Sequence, residues 1–468
     1  MEGKNRVGIG QVFSVKSADL VGTSPLNSKA ISKAISDAIT CFFGKDVLGT
    51  PASLFINTQS RVLIKPNWVH HINQSGSETA CLYTTQQFVL ESLRHVIQAR
   101  PLSILIGDAP IQSCNFEEIV TSEFRSSVAR LAAEYEIPVA IQDFRLTKST
   151  DGRLSENVLK DCHPIESYIL FDLAADSLLE PVTSPNHNFR VTNYDPRKLA
   201  EKHAPGRHQY LICREAIECD VVLSLPKLKT HRKAGITGAL KNLVGVNGNK
   251  DYLPHHRVGS PTENGDCYST PSLANRLFER FIDKANCYIG SKWYDRWCRI
   301  AHLFGGGLSD LPKGGLEGGW HGNDTVWRMA LDLNRILLYG QPNGCISEVP
   351  QRKIFSLTDA IMCGEGEGPL APSPRSLGLV SFSDSQPAAD YIHAKLMGFD
   401  PHRIPIVRES FSSFRWPLCD SSAVPIAVFK EREVKHSELL TRLGANFLPP
   451  KGWAGFIEDS SEINMRQA

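Results

Sequence analysis

Neither sign of charge dominates this chain: its 468 residues carry 51 Lys+Arg against 50 Asp+Glu. A formal net charge of +1 supplies no overall field to draw it onto nucleic acid or an acidic membrane, so neither is expected as a partner. No apolar run approaches the ~18 residues that a membrane helix needs. The stretch MEGKNRVGIGQVFSVKSADL holds no apolar core of signal-peptide length, so the cytoplasm is the expected location. The 12 cysteines include no CxxC, and the nearest two are Cys213 and Cys219. Ferredoxin-type clusters and zinc ribbons need closer spacing, so no iron–sulfur cluster is expected, and the thiols read as small buried groups in a reduced compartment. Walker, GxSxG, HExxH and EF-hand patterns are also absent, which removes the common NTPase, hydrolase, zinc-protease and calcium signatures.

What remains is an ordinary globular composition, 41% hydrophobic and 22% charged. Length gives a prior of roughly three domains. The composition shifts divide the chain at 1–205, 206–325 and 326–468.

Strand-then-helix units recur. RVLIK (61–65) and LSILI (102–106) read as buried strands. Between them TTQQFVLESLRHVIQA places Phe88, Val89, Leu93, Val96 and Ile97 at helical spacing, with Thr84 and Gln87 as a capping box. SEFRSSVARLAAEYE and IPVAIQDF repeat the unit, CDVVLSLP precedes a helix in TGALKNLVG, and LGLVSF precedes SQPAADYIHAKLMG. The fold class is therefore α/β: parallel or mixed sheets, flanking helices and repeated βα units, with a long loop insertion at about 246–325.

Ligands of open parallel sheets bind beyond the carboxyl ends of the strands, and the chemistry-bearing residues gather there. Lys65 and Asn67 follow the first strand, Asp108 the second, Lys227, Lys229, Thr230 and His231 a later one, and Asp384 the last. Between Lys227 and Lys250 there are six Lys or Arg and no acid. Within this run Thr237 and Gly238 open a helix whose free N–H groups favour an anion, with Lys241 and Asn242 in its first turn. GEGEGP reads as a flexible loop in which Gly364, Gly366 and Gly368 fold around a ligand. Asp359, Glu365, Glu367 and Asp384 are candidate ligands for a divalent cation, or a general base. The adjacent pairs His70-His71 and His255-His256 diverge and read as loop histidines.

IKPN, the threonine pair Thr84-Thr85, GDAP, DVVLSLPKLKTH, GITGALKNLVG, DAIMCGEGEGP and SDSQPAADYIHAKLMG occur in this order, from about 60 to 405, in a pattern that resembles the DUF362 family, a domain of unknown function. Many members of that family look like iron–sulfur proteins through an appended CxxCxxCxxxCP segment, which this chain lacks. The resemblance and the residues together suggest an enzyme acting on an anionic small molecule that bears phosphate or carboxylate, in a biosynthetic pathway and with metal assistance. The alternative is a non-catalytic protein that carries or matures a metal or redox cofactor. The expected catalytic residues are Lys65, Asn67, Asp108, Lys229 and His231. Thr84, Lys227, Thr230, Thr237, Gly238, Lys241, Asn242 and the three loop glycines are expected to bind substrate. A homo-oligomer is left open. Alanine at Asp108 or Lys229 is expected to abolish activity with little loss of stability, since strand-end residues hold little of the core.

Overall fold

The computed structural model describes residues 5–13, 27–44, 50–149, 159–186, 188–192, 194–288, 293 and 317–459. Eleven strands form one sheet: β1 (Arg6–Gln11), β2 (Arg61–Pro66), β3 (Ser103–Asp108), β4 (Val139–Asp143), β5 (Val221–Leu225), β6 (Lys227–His231), β7 (Gly235–Thr237), β8 (Lys353–Glu367), β9 (Ala371–Ser383), β10 (Ile426–Phe429) and β11 (Arg432–Val434). The order is β11-β10-β1-β9-β8-β5-β2-β3-β4, with β6 paired to β8 and β7 to β6. β8, β5, β2, β3 and β4 run parallel, whereas β9 lies antiparallel to β8 and β1. Strands from each of the three compositional regions enter this sheet.

Side-chain alternation explains why both faces are covered. On β2, Val62 and Ile64 enter one apolar cluster and Leu63 the other; on β5, Val221 and Leu223 oppose Val222. The first cluster is closed by helices α1 (Ser28–Phe43), α2 (Gln86–Gln98) and α3 (Ser122–Tyr135), each presenting aliphatic and Phe side chains at helical spacing. The opposite face is covered by α6 (Val326–Tyr339) and α7 (Gln386–Leu396). Between α3 and α6 in sequence lie a single turn, α4 (Ala239–Asn242), and α5 (Leu273–Asn286). Among the described residues no helix is long and apolar enough to cross a membrane.

Four expectations need correction. The cap of α2 is Thr85, which accepts from the Phe88 amide at 3.3 Å; Thr84 bonds elsewhere. The stretch 246–325 is not all loop, because α5 lies within it; residues 289–292 and 294–316 of that stretch fall outside the described residues. KIFSLT and GEGE are one strand rather than strand and loop, paired from Ser356 to Glu367 with β9, and Gly368 and Pro369 lie in the turn that follows. Because β9 runs antiparallel, Asp384 follows its end at the edge opposite the carboxyl ends of β2, β3 and β5.

Candidate functional site

From β2 the chain steps outward to β3 and β4, while β5 and β8 step the other way, so the order reverses between β2 and β5. Such a reversal leaves a crevice beyond the carboxyl ends of the two strands. IKPN ends β2 and LPKLKTH ends β5, and both segments meet at this crevice. Pro226, with no N–H to give the ladder, interrupts the strand. The chain then continues as β6 along β8, with Lys227 beside Asp359 and Lys229 beside Gly364.

A buried polar network forms the floor. The Lys65 ammonium donates to Asp108 Oδ1 at 2.6 Å, to the Pro66 carbonyl at 3.0 Å and to Asn242 Oδ1 at 3.2 Å. Asp108 also accepts from the Trp68 amide at 2.6 Å and the Ala109 amide at 2.9 Å. Asn242 returns two bonds, to the Lys65 carbonyl and to Ser224 Oγ, tying α4 to β2 and β5. Gly245 lies flat on this pair, and a methyl group there would overlap Asp108 Oδ1. Thr84 joins the two strand ends, accepting from the Asn67 amide at 3.0 Å and donating to the Leu225 carbonyl at 2.6 Å.

Above the floor opens a cavity of about 420 Å³, lined by Asn67, Asp108, Lys229, His231, Thr237, Lys241 and Asn242 among the expected residues. The Lys229 ammonium is fully buried and donates to Asn67 Oδ1 at 3.0 Å and to the Leu82 carbonyl. Burial, then the neighbouring Lys227 charge, pushes it down to about 7. Lys241 is likewise pushed down to about 7, by burial and by Lys250; burial takes Lys250 to about 8. His231 Nδ1 accepts from the Lys233 and Ala234 amides, both at 3.1 Å, which places its proton on Nε2. Burial and the Lys241 charge hold it far below the usual histidine range.

Arg232, Lys233, Lys250, His255 and Tyr194 also line the cavity and were not singled out as site residues. The three basic residues belong to the acid-free run, a signal present in the sequence. His255 read as a loop histidine. Its Nδ1 donates to the Leu253 carbonyl at 2.6 Å, leaving Nε2 as a bare acceptor.

Apart from Glu367 at its rim, the remaining expected residues do not line the cavity. Lys227 is buried against Asp359 at 2.6 Å and the Met362 carbonyl at 3.0 Å. Thr230 donates to the Gly366 carbonyl, and Gly364 and Gly368 pack their backbones against β6, so these residues join two strands. Gly238 faces the Asp390 carboxylate, which accepts from the Ala239 amide at 2.7 Å and the Leu240 amide at 3.0 Å. The helix start expected to attract an external anion therefore holds one from its own chain. The four acidic candidates do not converge. Asp359 pairs with Lys227. Glu365 accepts from the Leu448 amide. Glu367, at the cavity rim, pairs with Arg232 at 3.3 Å, and Asp384 lies on the far edge. Nor is Asp108 a loosely held strand-end group, being 3% exposed and bonded on both oxygens, so the expectation of unchanged stability fails for it.

The DUF362 family profile, described as a domain of unknown function, matches residues 174–395. That span holds LPKLKTH, GALKNLVG and GEGEGP; IKPN and GDAP lie before it. A thylakoid-associated protein of Synechocystis sp. is 24% identical over 195 residues, covering 42% of this chain and 37% of that relative's length. A crystal structure of a Thermotoga maritima protein aligns with 12% identity and a TM-score of 0.33, over 77% of this chain and 56% of that one. The match carries the basic run and both strands that flank it, and over residues 174–395 the chain is similar to the DUF362 family.

Proposed function

We propose that this protein is an enzyme whose substrate is a small anion, bearing carboxylate or phosphate, bound in the cavity at the β2–β5 crevice. One observation carries this reading. Lys229, Lys233, Lys241 and Lys250 all line the cavity, while Asp108 is committed to Lys65 and two amides and Glu367 to Arg232, which leaves Glu317, beside Lys233, as the one further acid lining it among the described residues. An excess of desolvated cations repels itself, and a bound anion relieves that repulsion. Apolar walls from Val69, Ile111, Val191 and Leu253 lower the polarity around these charges, which strengthens each charge interaction beside them. His231, with Nε2–H free to donate, and the amines titrating near neutral pH are placed to move protons on such a substrate.

The test is calorimetric titration with inorganic phosphate, pyrophosphate and short carboxylates. At least one should bind, and Lys229→Ala should weaken it by about 1.5–3 kcal/mol, the scale of a charge-assisted hydrogen bond. Equal affinity in the wild type and in Lys229→Ala and Lys250→Ala variants would remove the cavity as the binding site.

A further inference from the structure

Among the cavity lysines one differs from the rest. Lys229 donates to Asn67 and Leu82, Lys233 to Thr192 Oγ1 at 2.8 Å, and Lys250 to the Ala109 carbonyl at 2.9 Å. Each of those ammonium groups is anchored on protein oxygen. Among the described residues Lys241 has no hydrogen-bond acceptor, although it lines the same cavity. A second group in the cavity is also unanswered: Thr237 is 3% exposed and its Oγ1 has no partner. Thr237 Oγ1 is thus a buried polar group without a partner, the half-buried Lys241 ammonium opens onto the same cavity, and together they point to a ligand that engages both.

We propose that Lys241 is a nucleophilic amine that forms a Schiff base with a 2-oxo acid bound in this cavity, the neighbouring lysines holding the acid's carboxylate. The inference deepens the anion-site reading and rests on it. An amine must be neutral and unbonded to attack a carbonyl, and a cluster of like charges around a desolvated lysine favours its neutral form. Lys250 and Lys233 supply that repulsion. Lys241 is the strongest single charge acting on both His231 and His255, and all three residues line the cavity from separate segments of the chain.

The chemistry balances within the cavity. The Lys241 nitrogen lone pair attacks the carbonyl carbon, and the C=O π pair moves to oxygen. His255 Nε2, the bare acceptor, takes a proton from nitrogen and returns it to that oxygen, which Thr237 holds by its hydroxyl. A second proton transfer expels the oxygen as water while C=N forms. Amine and carbonyl thus give imine and water, with no oxidant or reductant. The apolar wall of Val69, Ile111, Val191 and Leu253 suits an acid with a short aliphatic or aromatic side chain.

The test is reductive trapping on the wild-type protein. Pyruvate, 2-oxoisovalerate and phenylpyruvate are each incubated with the protein and sodium cyanoborohydride, and the adducts are mapped by peptide mass spectrometry. Binding of the same acids and of phosphate is measured separately by calorimetry. The expected result is one adduct per chain, at Lys241, reduced by competing phosphate and lost in Lys241→Arg. An acid that binds but is trapped nowhere, or equally at many surface lysines, overturns the Schiff-base inference and leaves the anion site standing. Absence of binding by every acid and by phosphate overturns both.

Discussion

The carboxylate of Asp390, on α7, sits on the first two amides of α4, at 2.7 and 3.0 Å. His393 supports it through Nδ1 at 3.0 Å, and both residues are buried. The helix that carries Lys241 and Asn242 into the site is thereby anchored by a helix about 150 residues further along the chain.

Removing that anchor should cost stability first and ligand binding second. Asp390→Ala leaves two buried amides without acceptors and is expected to destabilise by about 2–4 kcal/mol, measured by urea unfolding. Asp390→Asn retains one acceptor oxygen and should lose less. Equal stability of both variants to wild type would show that α4 is held by its apolar contacts instead.

Asp108→Ala should be more damaging still, because it strands the Lys65 ammonium in a site of zero exposure. The expected loss is about 3–5 kcal/mol, the scale for breaking a buried ion pair from one side. Pairing it with Lys65→Met should restore part of that loss, a coupling that a double-mutant cycle in urea reads directly.

The lysines give the apo protein a definite pH response. An ordinary lysine titrates near 10.5, whereas Lys229 and Lys241 sit at about 7 and Lys250 at about 8 in the folded chain. Between these values the unfolded chain binds more protons than the folded one, so these groups make stability rise with pH from about 7 towards 10. Melting temperature in the absence of anions should follow that slope, and Lys229→Met should flatten it.

Anion binding should reverse the shift. A bound anion favours the charged ammonium, so binding near pH 7.5 takes up protons. Calorimetric enthalpies in buffers of different ionisation heat would show this as a slope. Proton release on phosphate binding would contradict the protonation states derived for the site.

Much of the site was legible from one rule. Parallel βα units put strand carboxyl ends on one edge, so IKPN, GDAP and LPKLKTH could be placed together before any coordinates, and Asn67, Asp108, Lys229 and His231 do line one cavity. The rule fails where a strand reverses. LGLVSF has the same apolar run whether parallel or antiparallel, and its direction is set by the hairpin to β8, which hides in the glycines of GEGEGP. The rule is also silent on what lies beneath the surface. Lys65 and Lys227 look like any strand-end lysine, and only the third dimension reveals Asp108 and Asp359 against them. His255 escaped because its partner is the Leu253 carbonyl, and a backbone group leaves no side-chain signature.

The position of β1 in the sheet has a consequence for how the chain comes together. Its two neighbours are β9 and β10, from residues 371–383 and 426–429. A strand near the amino end is therefore seated only after most of the chain has left the ribosome, and its unpaired edge must wait for partners hundreds of residues away. Pairings of such separation are slow to form and leave edges exposed meanwhile. Synthesis stalled before residue 371 should yield a chain in which α1 and β1 are open to protease while β2, β3 and β4, whose strand neighbours all precede residue 371, are already protected.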